Sequence, residues 1–148
     1  MKIVYILLIV CNFSFGQLKV NYYKVQNKFG KTITDKTFVQ KKLISDSETA
    51  YFSFSKKDSL LLDVSFTKTE GYLDAQFEEL KNEFIGNFEP TKVKQWENLV
   101  GYYDEKKNIM IIKTFADYTR MKLTEIAFCT SNESIKGFLP LFDKNFHH

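Results

Sequence analysis

A chain of 148 residues with 44% hydrophobic and 26% charged residues has the composition of one globular domain, too apolar for disorder and too short for two cores. Its formal net charge of +3 comes almost wholly from lysine, and Arg120 is the only arginine. That balance argues against nucleic-acid partners, whose phosphates and base edges favour the bidentate guanidinium fork.

In chain order, residues 1–16 predict a secretory signal peptide. Lys2 supplies a positive start, Ile3 to Val10 an apolar run, and Ser14 and Gly16 the small residues of a cleavage site. The run is far short of the roughly 20 residues of a spanning helix. The working protein is therefore expected to be residues 17–148, a single secreted domain with no transmembrane segment. A rival reading makes Cys11 the lipidated residue of an outer-membrane lipoprotein. Val10, however, stands where a lipobox wants Gly, Ala or Ser, so cleavage after Gly16 is favoured. The peptide resembles those of Bacteroidetes-type bacteria, which implies a periplasmic or secreted location. With Cys11 removed, Cys129 has no partner for an internal disulfide.

Leu18 to Tyr22 alternates apolar and polar residues and predicts a strand, and Thr37 to Ile44 predicts another. Ala50–Phe54 and Leu60–Phe66, separated by Ser55–Ser59, predict a hairpin. Leu62, Val64 and Phe66 are expected on its core face, with Asp63, Ser65 and Thr67 toward water. Leu73, Phe77, Leu80, Phe84 and Phe88 recur at helical spacing, so a helix over 73–88 is expected, with Asp74 in its first turn and Asn87 and Pro90 ending it. Three strands follow: Lys92–Tyr103, Ile109–Ile112 after the turn Asp104–Asn108, and Lys122–Thr130. Ser134 then opens a second helix through Ile135, Phe138, Leu139, Phe142 and Phe146, with Gly137 and Pro140 inside its pattern. The fold class expected is α+β, an antiparallel sheet with two packed amphipathic helices.

The order β-α-β-β-β-α from Leu60 to Phe146 resembles that of PsbP/Mog1-like α/β/α sandwich domains. This resemblance rests on element order and implies a non-catalytic accessory or binding domain. A cystatin- or NTF2-like curved sheet fits the same order.

No catalytic, metal or cofactor constellation is recognisable. His147 and His148 end the chain, and no Cys-x-x-Cys or His-Glu-x-x-His spacing occurs. Cys129, on an apolar strand, reads as a buried structural thiol. The acid pairs Glu70/Asp74, Glu78/Glu79 and Asp104/Glu105 are all expected in water, where carboxylates keep ordinary acidity. Fifteen Phe against one Trp assign most of the 16% aromatic content to the core. One ring of each of the pairs Tyr22-Tyr23 and Tyr102-Tyr103 should face outward. Together with Trp96, and flanked by Lys94 and Lys106, these form the candidate binding surface for an envelope or secreted protein, a peptide or a glycan. The function expected is therefore an exported, non-catalytic binding or accessory protein of the cell envelope. An immunity or inhibitor protein against an exported toxin or hydrolase is the alternative, and a small carboxylate-dependent hydrolase the third.

Overall fold

The computed structural model describes residues 18, 25, 27, 28, 39–55 and 60–143. The expected signal peptide, the pair Tyr22-Tyr23 and all but Leu18 of the first expected strand lie outside them.

Among the described residues seven strands form one sheet: β1 (Val39–Ser45), β2 (Glu48–Phe54), β3 (Leu61–Tyr72), β4 (Lys92–Trp96), β5 (Leu99–Asp104), β6 (Ile109–Phe115) and β7 (Leu123–Cys129). Their spatial order is β1-β2-β3-β7-β6-β5-β4, and every neighbouring pair is antiparallel. Helix α1 (Asp74–Phe84) carries the chain from β3, mid-sheet, to the far edge at β4. A meander then returns through β5 and β6 until β7 fills the place beside β3, and α2 (Asn132–Asp143) follows. The fold is α+β, a single domain dominated by its strands.

Strand alternation gives the sheet two faces, each with its own helix. Phe52, Val64, Phe128 and Ile111 stand opposite one another across β2, β3, β7 and β6. On this α1 face the helix lays down Phe77 and Phe84, the expected stripe. Phe84 is fully buried, its ring 5.3 Å from that of Phe66 and 6.1 Å from that of Phe128. Leu18 and Val25 are buried in the same cluster. On the α2 face Tyr103, Met110, Ile112 and Cys129 are covered by Ile135, Phe138, Leu139 and Phe142. Beyond them, over β1 to β3, that face presents Lys41, Leu43, Thr49, Tyr51 and Thr67.

Four boundaries differ from the sequence expectation, each for a local reason. In β3, Phe54 stands opposite Leu61 while Ser53 stands opposite Asp63, so Leu62 is the extra residue of a bulge. Leu61 takes the core position and Leu62 is only half-buried. α1 ends at Phe84, because Gly86 adopts a left-handed φ of 78° and donates its N–H to Lys81 O at 2.9 Å. The expected strand Lys92–Tyr103 is two strands, β4 and β5, folded at Glu97 and Asn98, with Glu97 at φ 34°. Finally, α2 is capped by Ser131 rather than Ser134: Ser131 Oγ accepts the Ser134 N–H at 3.1 Å.

Candidate interaction surface

Of the residues expected to form an aromatic binding surface, Trp96, Tyr102 and Tyr103 are described, and they are divided between the two faces of the sheet. Trp96 is half-buried on the α2 face, edge-on to Phe142 with ring centroids 5.3 Å apart. It lies so close over Gly101 that a Cβ there would come within 2.8 Å of the indole. Tyr103 is buried on the same face, and its hydroxyl donates to Asn108 Oδ1 at 2.9 Å. Burial pushes its phenol up, with the charge of Glu105 adding to the effect. Tyr102, on the α1 face, is half-buried beside Lys113. Lys113 Nζ sits 3.5 Å above the Phe77 ring, and burial holds its amine below the ordinary lysine range. Trp96 and Tyr103 thus serve α2 packing, and Tyr102 lies on the other side of the sheet.

The acidic candidates also separate. Glu70 and Asp74 are exposed, Glu78 pairs with Lys81, and Glu105 pairs with Lys92 at 2.8 Å. Asp104 is only 2% exposed, contrary to the expectation that water reaches it. Its Oδ1 accepts the Lys107 N–H at 3.1 Å and closes the β5–β6 turn. Asp63, expected on a wet face, is half-buried and holds the start of α2. Its Oδ1 accepts the N–H groups of Thr130 at 2.9 Å and Ser131 at 3.0 Å, and its Oδ2 the hydroxyls of Ser131 at 2.6 Å and Ser134 at 2.8 Å. These four bonds make Asp63 the anchor of the start of α2. Opposite Asp63, Cys129 is buried as expected, its thiol pushed up to about 12 by desolvation first and by Asp63 second. Among the described residues no three His, Cys, Asp or Glu side chains gather as a metal site. No helix among them is long and apolar enough to cross a membrane.

What the fold does bring together is a set of turns at one end of the sheet: the β1–β2 turn, the β3–α1 junction, the β6–β7 loop and the β4–β5 turn, side by side as the strand order dictates. Thr69 N–H donates to Ser47 O at 2.9 Å, and Ser47 Oγ to Glu70 Oε2 at 3.2 Å. The Tyr72 hydroxyl donates to Glu48 Oε1 at 3.0 Å, and burial followed by that bond pushes the phenol up. Gly71 has φ +87°, and a Cβ there would meet Lys122 Cγ at 3.0 Å and Leu123 O at 3.2 Å. Glycine is what lets the end of β3 touch the β6–β7 loop. Within that loop Asp117 accepts from the Thr119 N–H at 2.8 Å and hydroxyl at 2.5 Å, which holds its carboxyl below the usual range. Asn98 ties in the last turn: its side chain donates to Phe115 O at 2.9 Å, and Phe115 N–H donates to its carbonyl at 2.8 Å.

Seven large apolar side chains are exposed among the described residues, and five of them, Leu43, Ile44, Leu73, Tyr118 and Met121, belong to this end. Leu73 is 71%, Tyr118 77% and Met121 90% exposed. Single exposed apolar residues are commonplace, but these five fall on three neighbouring segments at one end of the sheet: the end of β1, the β3–α1 junction and the β6–β7 loop. The sequence gives little sign of it: residues 116–122 carry no periodicity, and exposure there depends on what folds alongside.

No family model matches the chain, and none of the curated proteins does. Among solved structures, it is similar to the crystal structure of a DUF4309 family protein (YjgB) from Bacillus subtilis, at 11% identity and a TM-score of 0.41, over 76% of this chain and 80% of that one.

Proposed function

We propose that the protein is an exported, non-catalytic binding or accessory protein of the cell envelope, and that it engages another protein through the turns at the Leu73–Tyr118–Met121 end of its sheet. The observation that carries this reading is the gathering of exposed apolar side chains on cross-braced loops. The separation of the acid pairs, each engaged in a local bond or open to water, weighs in the same direction against the hydrolase alternative.

The test is affinity capture from envelope extracts with residues 17–148, with a Tyr118→Ser/Met121→Ser double variant, and with Tyr51→Ser as a control on a surface away from this end. A partner retained by the parent and the control and lost by the double variant is the expected result. Equal capture by all three proteins would refute the assignment of the surface.

A further inference from the structure

The charge at this end runs against that of the whole chain. Net charge is +3 overall, yet the four turns carry Asp46, Glu48, Glu70, Asp74, Glu97 and Asp117 against Lys68, Arg120 and Lys122. Glu48 is engaged by the Tyr72 hydroxyl, and Lys68 leans over the Tyr72 ring at 5.6 Å. Asp74 occupies the first turn of α1, where the helix N-terminus offsets its charge. Asp46, Glu70, Glu97 and Asp117 remain, all exposed, and among the described residues none of them forms an ion pair. Elsewhere Glu83 pairs with Lys28, Glu78 with Lys81 and Glu105 with Lys92, while Glu79, Glu89 and Glu133 are exposed singly rather than gathered on adjoining turns. Unmatched carboxylates around exposed apolar side chains specify a partner as well as a surface.

We propose that this end docks a cationic protein segment bearing apolar side chains, with Leu73, Tyr118 and Met121 as the apolar centre and Asp46, Glu70 and Asp117 as an acidic rim. The inference rests on the binding reading above and adds the chemistry of the partner. An apolar centre is what a protein segment buries and a free polyamine cannot fill. A rim of this sign repels anionic lipid headgroups and nucleic-acid phosphates. Rim carboxylates raise the rate of encounter with a basic partner and reject acidic ones, while the centre supplies the contact that keeps the complex together. This chemistry also suits an inhibitor that covers a basic enzyme.

Three fluorescent peptides of equal length test the proposal on the intact mature protein: alternating Lys/Leu, alternating Glu/Leu and alternating Lys/Ser. Binding is read by anisotropy, and the contacted residues by amide chemical shifts. The Lys/Leu peptide should bind at least about ten-fold tighter than either of the others, weaken as salt rises, and move signals from residues 44–48, 70–73 and 116–122. The double reversal Asp46→Lys/Glu70→Lys lies on exposed turns and should leave the thermal midpoint nearly unchanged. It should cut Lys/Leu affinity about ten-fold and raise that for Glu/Leu. Equal binding of Lys/Leu and Glu/Leu at these loops would overturn the cationic partner while sparing the binding surface. Absence of any shift at these loops with all three peptides would overturn the surface itself.

Discussion

Helices α1 and α2 hold the same sheet by different means. α1 is fixed by area, with Phe84 wedged between Phe66 and Phe128 in a cluster built from β2, β3, β6 and β7, with Tyr102 of β5 packed against it. α2 has a smaller apolar footprint and is fixed at its start by one carboxylate, Asp63, which reaches across from β3 to take four donors. Area resists any single small change gradually, whereas a point anchor fails when one group is lost.

Phe84→Ala should show the largest effect, about 3–5 kcal/mol, read as a lower urea midpoint for the whole domain. A change confined to α1 amides, with the global midpoint preserved, would mean that the α1 face is not the common core. Asp63→Ala should cost about 2–3 kcal/mol, since it strands the Ser131 N–H and two hydroxyls that are partly out of water and leaves the Thr130 N–H with Leu62 O alone. Here hydrogen exchange should accelerate first in residues 131–138. Uniform acceleration across both helices would erase the contrast between them.

A third effect is confined to alkaline conditions and is small near neutral pH. The folded Cys129 thiol is held up to about 12, whereas an unfolded thiol titrates near 8.5. Its contribution to stability is thus complete below the unfolded value and lost as pH rises through the folded one. The unfolding midpoint should fall between about pH 9 and 12, and Cys129→Ala should flatten that fall. A thiol reagent at pH 8 should label Cys129 only as fast as the domain opens.

The sequence made the α1 stripe readable, because Phe77, Leu80 and Phe84 repeat at the helical period and burial follows from the pattern alone. It also placed the rings of Tyr102 and Tyr103 on opposite faces, since alternation in a strand is local. What it could not show depends on contacts distant in sequence. The cover of α2 over Trp96 and Tyr103 is one such feature, and the engagement of Asp63 by Ser131 and Ser134 is another. The turn at Glu97-Asn98 lacks the glycine that usually announces a hairpin. The loop carrying Tyr118 and Met121 has no periodicity to read, so its place beside Gly71 emerged only with the strand order.

That strand order has a consequence in time. β1 to β3 form from near neighbours in the chain, and so do β4 to β6, but the two groups join only when β7 slides between β3 and β6 and sets Asp63 opposite Cys129. Pairings between remote segments are slow to form, and a sheet awaiting its middle strand exposes two unpaired edges. A chain ending before Leu123 would therefore consist of two half-sheets, each ready to recruit a strand from another molecule. The strand that enters last into the sheet decides whether those made before it become a domain or an aggregate.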